Sequence, residues 1–230
     1  MHQITLFHYH PAILERFPNI CGGVIIAKGI HNPTTPPDLQ QEFIEEQRTV
    51  LERLGNKPLS EIPSLAGWRS AFRTFGVDPT RYRSAAEALL RRLTKKGDIP
   101  SINTLVDIGN LVSIRYSLPV AVFDTRNLNG GITVHFAEGT ESFNGLGEDE
   151  VTHPEPGEVI FSDSAGVVVA RRWCWRQSIE STAHFDTHNI IITVEAQHPG
   201  ANIDIQAALD ELVILLRKFT GGNFETKMLS

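Results

Sequence analysis

Cysteine is scarce in this sequence, and both long apolar runs and a targeting segment are missing from it. Cys21 and Cys174 are the two cysteines among 230 residues, too few for a disulfide framework, and neither belongs to a metal-binding pair. No apolar run approaches the 18 or so residues of a membrane span. The N-terminus lacks the basic start, apolar stretch and cleavage site of a signal peptide. These absences predict a reduced, cytoplasmic protein that does not contact membranes.

The familiar catalytic signatures are also absent. We find no phosphate-binding glycine loop, no Gly-x-Ser-x-Gly elbow and no His-Glu-x-x-His motif. His184, Asp186 and His188 share one face of a predicted strand, but no third and fourth ligands can be named for a metal. Cys174 lies between two tryptophans in another predicted strand, and alternation turns its thiol away from them and into the core. The sequence therefore predicts no metal, no cofactor and no cysteine nucleophile.

Charge is unevenly distributed along the chain. The net charge is −6, yet the segment 69–96 holds eight arginines and lysines against two carboxylates, a local charge of +6. A local basic surface can contact phosphates whatever the overall sign. The alternative is a pair of amphipathic helices with solvated basic faces.

Hydrophobic periodicity changes character halfway along the chain. Helical spacing, caps and stop signals predict helices over residues 38–54, 65–75, 84–96, 102–117 and 202–219. Short β-rich runs predict strands over residues 3–9, 22–30, 121–125, 131–137, 157–163, 166–175 and 188–196. With no repeat or linker, the pattern predicts one α+β domain over residues 1–230, with helices early and an antiparallel-rich sheet later.

Two stretches carry polar groups where burial is expected. In "INTLVDIGNLVSIRYSLPVAVFD" (102–124), Asn103, Asp107 and Asn110 occupy one face of a buried helix. A buried polar row must be hydrogen-bonded, so it is either an internal brace or part of a wet cleft. In "RRWCWRQ" (171–177), indoles and guanidinium groups alternate. This mixture suits stacking and phosphate contact, or the indoles cap the core while the arginines face water.

Several motifs occur here in a characteristic order: "WRSAFRTFGVDPTRYRSAAEALLRRL", "PSINTLVDIGNLVSIRYSLPVAVFD", "GTESF", "PGEVIFSD", "RRWCWRQ" and "THNIIITVE". This series resembles the B3/B4 domain, the editing module in the beta subunit of bacterial phenylalanyl-tRNA synthetase, and especially its free-standing relatives. The resemblance covers about residues 60–196, with the flanks as parts of the same unit. It implies an α+β fold with helices packed on an antiparallel-rich, sandwich-like sheet arrangement. It also implies tRNA binding and hydrolysis of a mischarged aminoacyl-tRNA ester.

The resemblance also implies which residues form the site. Asn103, Thr104 and Glu141 are the catalytic candidates, with Glu141 in "GTES" reading the amino acid. Asp107 and Asn110 are expected to brace the helix against neighbouring backbone, because deeper positions have less access to water, and Asn110 is also a substrate-binding candidate. The remaining substrate-binding candidates are Arg172, Trp173, Trp175 and Arg176. The candidate contacts to tRNA phosphates are Arg69, Arg73, Arg81 and Arg83.

Two departures from the family pattern bear on the substrate. Ala121 stands where the synthetase has a histidine, and the bulky "RRWCWRQ" replaces a glycine-rich stretch. Both changes fall where substrate would lie, so we expect an acyl group that differs from tyrosine or is smaller. A competing hypothesis is a module that binds an amino acid, a nucleotide or RNA without hydrolysis. The sequence does not predict an oligomeric state.

Overall fold

The computed structural model describes residues 7–148 and 150–229. Within these ranges the chain forms two β-sheets and six α-helices. The helices are α1 (Pro11–Arg16), α2 (Pro37–Leu54), α3 (Pro63–Thr74), α4 (Ala85–Lys96), α5 (Thr104–Tyr116) and α6 (Ala201–Phe219). The strands are β1 (Phe7–Tyr9), β2 (Cys21–Lys28), β3 (Val120–Asp124), β4 (Ile132–Phe136), β5 (Val159–Ser162), β6 (Val168–Arg171), β7 (Arg176–Gln177), β8 (Asn189–Ala196) and β9 (Asn223–Leu229). No helix in the described part of the chain is long and apolar enough to cross a bilayer.

The nine strands form two sheets. One sheet has the order β1-β4-β5-β6-β7 and the other has the order β3-β8-β2-β9. All strand pairs are antiparallel except β1 with β4, which run parallel. Helices α2, α4, α5 and α6 share one core with the four-stranded sheet, whereas α1 and most of the buried residues of α3 belong to a second core with the five-stranded sheet. The predicted α+β class with a sandwich-like sheet arrangement is confirmed.

Alternation along the central strands creates two separate cores. In β8, Ile190, Ile192 and Val194 pack into the core that the helices share with the four-stranded sheet. Ile191, between them, packs into the core between the two sheets. Both faces of this strand are buried, which is why it reads as a nearly continuous apolar run. The second core holds most of the aromatic side chains.

Local signals place the helices where the sequence predicts them. The Ser84 hydroxyl accepts a hydrogen bond from the Glu87 backbone N–H and begins α4, and Gly97 in the left-handed region (φ 82°) ends it. Asn103 caps α5 through its side-chain oxygen. α1 and β9 are not predicted, and the part of the predicted strand 3–9 before residue 7 lies outside the described residues.

The predicted strand over 166–175 is wrong at its C-terminal end. β6 ends at Arg171, and the chain then turns over residues 172–175 before β7. Arg172 and Trp173 both adopt positive φ angles, 45° and 61°, which an extended strand does not allow. The alternation expected for Cys174 and its two tryptophan neighbours therefore does not apply.

Candidate functional site

A small cavity of about 80 Å³ lies between the two sheets. Its floor is the four-stranded sheet, which contributes Ala121, Thr193 and Glu195. Its roof is the turn and hairpin of β6 and β7, which contribute Ala170, Trp173, Cys174 and Gln177. Ala121, where the sequence departs from the family's histidine, is thus in the cavity wall. The lining is mostly apolar, with a few polar groups that can orient a ligand.

A larger groove of about 420 Å³ adjoins this cavity. It runs between α5, the edge strand β3 and β7, and it is lined by Ile102, Val106, Gly109, Asn110, Val120, Val122, Leu146, Trp175, Arg176, Gln177, Thr182 and Ala183. Val120, Trp175, Arg176 and Gln177 also line the cavity. Because four residues are shared, the cavity and the groove are neighbouring parts of one depression.

Gly109 explains how α5 approaches the sheet closely enough to form one wall of the groove. A Cβ atom at this position would lie 3.2 Å from Cγ2 of Val122, closer than ordinary van der Waals contact. The next residue, Asn110, faces the groove. Among residues 7–148 and 150–229 its side chain has no hydrogen-bond partner, so its amide is available to a ligand. The predicted brace role of Asn110 is therefore wrong.

Glu195 is the functional candidate that the sequence reasoning missed. Its carboxylate is 2% exposed and lines the cavity. Oε1 accepts hydrogen bonds from Oη of Tyr9 at 2.8 Å and Nε1 of Trp173 at 3.0 Å. Burial raises the pKa of Glu195 to about 7, although both hydrogen bonds oppose that shift. The sequence does contain an indication of this role, because Glu195 is a carboxylate at an inward-facing position of the apolar run "NIIITVEA".

Trp173 is a core residue that supports the cavity. It is fully buried, and its ring packs edge-on against Trp68 at 5.2 Å and Phe17 at 4.9 Å between centroids. Its neighbour Cys174 faces the cavity, where burial and the Glu195 carboxylate hold the pKa of the thiol well above its ordinary value. A thiol in this setting is a poor nucleophile.

Four residues form a stack at the mouth of the depression, which we call the guanidinium–aromatic row: Tyr82, Arg172, Trp175 and Arg176. The Arg172 guanidinium lies 3.9 Å from the ring centroid of Tyr82 and 4.6 Å from that of Trp175. Arg176 lies 5.6 Å from the Trp175 ring. Because Tyr82 belongs to the basic segment 69–96, the row connects that segment to the hairpin that lines the cavity.

Asn103 and Thr104 hold α5 in place behind the groove. Asn103 accepts from the Val106 backbone N–H, and its Nδ2 donates to the carbonyl of Ala183. The Thr104 hydroxyl donates to the carbonyl of Pro33 at 2.9 Å. Asp107 accepts hydrogen bonds from the Thr35 hydroxyl, the Ser101 hydroxyl and the Ile102 backbone N–H. The predicted brace role of Asp107 is confirmed.

Glu141 lies in the loop that follows β4, and it lines neither the cavity nor the groove. Its carboxylate accepts from the backbone N–H groups of Glu138 and Gly139, each at 2.9 Å. Burial raises the pKa of Glu141, but these hydrogen bonds outweigh it and hold the pKa below its ordinary value. The structure therefore does not bring Glu141 together with Asn103, and the catalytic role of both stays a prediction.

The four arginines predicted to contact phosphates differ in their surroundings. Arg69 donates to Glu87 at 2.7 Å, and Arg83 lies 3.8 Å from the same carboxylate. Arg73 and Arg81 are exposed, and Arg81 stands 5.1 Å from the Tyr82 ring centroid. Arg81 is therefore the best placed of the four to extend the guanidinium–aromatic row.

The "HFDTH" segment forms a structural loop. Asp186 pairs with Arg126 at 2.6 Å, and Thr187 donates to the buried Asp124. His188 contacts the carbonyl of Ile30 through Nδ1. Over residues 7–148 and 150–229, no cluster of three histidine, cysteine, aspartate or glutamate side chains is arranged to hold a metal ion.

Comparison with known proteins relates the chain to one group of sequences. Over 128 residues it is 30% identical to the phenylalanine–tRNA ligase beta subunit of Burkholderia lata, covering 56% of this chain and 15% of that protein. Over 78 residues it is 40% identical to the same subunit from Cereibacter sphaeroides, covering 34% and 9%. The chain therefore spans about a seventh or less of these relatives.

Two further comparisons concern a solved structure and a family profile. An N-terminal fragment of the phenylalanyl-tRNA synthetase beta subunit from Pyrococcus horikoshii superposes on 97% of this chain and 50% of that chain, with a TM-score of 0.46 and 14% identity. The sequence profile of the B3/4 domain family matches residues 67–219. This range includes α5, the hairpin of β6 and β7, Glu195 and the guanidinium–aromatic row. The chain thus belongs to the B3/4 domain family.

Proposed function

We propose that this protein removes a small, wrongly attached amino acid from tRNA by hydrolysing the aminoacyl ester. Membership of the B3/4 family supports a role related to tRNA synthetases, since the matched relatives are phenylalanine–tRNA ligase beta subunits. The observation that carries the proposal is a small, mostly apolar cavity of about 80 Å³ that adjoins a larger groove of about 420 Å³. Such a shape suits a ligand with a compact end and a larger end, as an aminoacyl group joined to a nucleotide has.

In this arrangement the acyl group occupies the cavity and the terminal nucleotide occupies the groove. Glu195 holds a donor group of the acyl part, because its Oε1 accepts two protein hydrogen bonds and no described residue donates to Oε2. The Asn110 amide, on the groove wall, is placed to orient the ester or the ribose. Asn110 and Glu195 are thus the polar groups nearest to the two ends of the ligand.

The reaction itself needs little from the protein, because an aminoacyl ester is already activated. A water molecule adds to the ester carbonyl, the bond from that carbon to the ribose oxygen breaks, and the ribose oxygen leaves with a proton. The products are a free amino acid and tRNA with its terminal hydroxyl restored. The protein accelerates hydrolysis by holding the ester in a reactive geometry. A protein nucleophile is therefore not required.

The cavity volume limits the acyl group. Engineered apolar cavities that admit benzene have volumes of about 150 Å³, whereas this cavity has about 80 Å³. By this comparison the cavity favours an acyl side chain smaller than a phenyl or phenol ring. Alanine, serine, threonine and cysteine side chains do fit. Those with a hydroxyl group also provide the donor that Glu195 can accept.

The tRNA side of the proposal rests on the guanidinium–aromatic row. Exposed aromatic rings stack on nucleobases, and guanidinium groups contact phosphates. Trp175 and Arg176 line both the cavity and the groove, so nucleotides bound along the row would lead the acyl group to the cavity. The excess of basic residues in segment 69–96 supports attraction of a polyanion despite the net charge of −6.

The test is deacylation of a panel of aminoacyl-tRNAs. We expect hydrolysis of tRNAs carrying alanine, serine, threonine or cysteine, and none of tRNA carrying tyrosine. The Glu195→Gln variant keeps both acceptor contacts of Oε1 and should lower the rate for hydroxyl-bearing groups. If every charged tRNA stays intact while an established deacylase cleaves it in parallel, the hydrolytic proposal is wrong.

A second candidate is binding of a small amino-acid-like ligand without hydrolysis. The side chains of Asn103, Thr104 and Glu141 all form hydrogen bonds with backbone groups. These three catalytic candidates are therefore already engaged within the protein, which favours binding without hydrolysis. A binder should show a rise in thermal unfolding temperature with one amino acid, by preferential stabilisation of the folded state. That rise should vanish in Ala121→Leu, which fills the cavity.

A further inference from the structure

The strand β9 forms one edge of the four-stranded sheet. Among the described residues it pairs with β2 alone, so the backbone groups on its outer side have no strand partner. It is seven residues long and has no proline or bulge, and its exposed charges, which oppose pairing with most strands, are of both signs. Phe224 and Met228 pack partly against the helical core, while Glu225, Thr226 and Lys227 are exposed. This edge is a template for another strand.

The sequence of β9 is complementary to itself in one register. Pairing two copies antiparallel about a two-fold axis at Thr226 sets each Glu225 opposite Lys227 of the other copy, and each Phe224 opposite Met228. The helices of both copies then lie on the same side of the joined sheet. Shifting the register by two residues places Glu225 opposite Glu225, or Lys227 opposite Lys227. Like charges directly opposite each other destabilise a strand pair, so charge selects the register centred on Thr226.

Two isoleucines are exposed on α6, the helix that packs on β2 and β9. Ile203 and Ile214 are 78% and 64% exposed, and their spacing of eleven residues places them on one face of the helix. Glu211 points away from that face, since it contacts Tyr116 and Arg115 of α5. α6 packs on β2 and β9, so two copies joined through β9 bring their α6 helices to neighbouring positions.

We propose that β9 joins two copies of this chain into a symmetric dimer with one continuous eight-stranded sheet. The occupant is a second copy because the charge pattern matches its own reverse, as a two-fold interface requires. The cavity and the groove lie beside β3, at the opposite edge of the sheet. Dimerisation therefore leaves both sites open and places them at the two outer ends of the sheet.

The test compares charge reversals by analytical ultracentrifugation over a range of concentrations. The wild-type chain should sediment as a dimer of the 25.5 kDa protomer. Glu225→Lys alone and Lys227→Glu alone each place two like-charged pairs at the interface and should weaken dimerisation by at least about 10-fold. The double exchange restores both pairs and should recover the dimer. Glu52→Lys, an exposed charge change on α2, is the matched control and should have no effect.

A crosslink tests the register independently of folding effects. Thr226→Cys places two thiols directly opposite across the two-fold axis and should form an intermolecular disulfide under mild oxidation. Glu225→Cys, whose partner position is Lys227, should crosslink much less. A monomer at all concentrations, single reversals that match the Glu52→Lys control, or preferential crosslinking through position 225 would each overturn the proposal.

Discussion

Glu195→Gln is expected to stabilise the protein in a manner that depends on pH. In the folded protein burial raises the pKa of Glu195 to about 7, whereas an unperturbed glutamate titrates near 4.3. The carboxylate is therefore disfavoured in the folded state, and the folded state binds more protons than the unfolded state between these two values. Stability contributed by this group is fully present below about pH 4 and is lost as pH rises to about 7.

The magnitude follows from the size of the shift. A difference of about 2.5 pKa units corresponds to about 3 kcal/mol, at 1.36 kcal/mol for each unit. Glutamine is neutral at every pH, and its Oε1 can accept the same hydrogen bonds from Tyr9 and Trp173. We expect equal free energies of unfolding for the variant and the wild type at pH 4.5. Above pH 7.5 the variant should be more stable by about 3 kcal/mol.

Urea unfolding followed by tryptophan fluorescence at a series of pH values measures this difference. Glu52→Gln, on the exposed face of α2, is the control, and its offset from the wild type should not change with pH. An offset for Glu195→Gln that is constant from pH 4.5 to 8 would refute the reasoning, because burial of a charged carboxylate would then not be its cause.

Other substitutions probe other parts of the site. Ala121→Leu should abolish deacylation or ligand binding by filling the cavity, while circular dichroism shows an unchanged fold. Trp175→Ala should weaken tRNA binding about 10-fold in a filter-binding assay, in line with the loss of one stacked base. Asp107→Ala should lower the free energy of unfolding by about 3 kcal/mol, since three hydrogen bonds to a buried carboxylate are lost. Glu141→Ala should lower stability by about 1 kcal/mol and leave deacylation within about twofold; a large loss of activity with an intact fold would instead support a catalytic role.

The sequence predicts a helix or a residue's role correctly where the residues that determine it are close together in the chain. α4 was predicted from the Ser84 cap and the Gly97 stop, and both act within one turn of the helix. The brace role of Asp107 followed from its spacing within a buried helix, since a buried carboxylate must find donors. β9 was missed because Phe224 and Met228 are the two apolar residues on its inner face and Thr226 stands between them, which is a weak alternating signal in so short a strand.

The site was harder to predict because it depends on how two sheets approach each other. Glu195 looks like the end of an ordinary apolar strand until Trp173 and Tyr9, from the other sheet, are brought to its carboxylate. The turn at residues 172–175 was hidden by its composition, since indoles and arginines favour extended structure and two successive positive φ angles leave no mark in sequence. The family resemblance pointed to several residues that line the cavity or the groove, namely Trp173, Trp175, Arg176 and Asn110, but it did not point to Glu195.

The turn between β6 and β7 links folding to recognition. Its second residue, Trp173, packs in the core and donates to Glu195, while Arg172 and Trp175 belong to the guanidinium–aromatic row. A substitution that removed the positive φ angles of the turn would move the Trp173 indole away from Glu195. The same substitution would therefore also change which acyl group the cavity accepts. The amino-acid preference is thus easier to change by substituting the alanines in the cavity walls. Their side chains can be enlarged by one methyl group at a time without disturbing the hairpin.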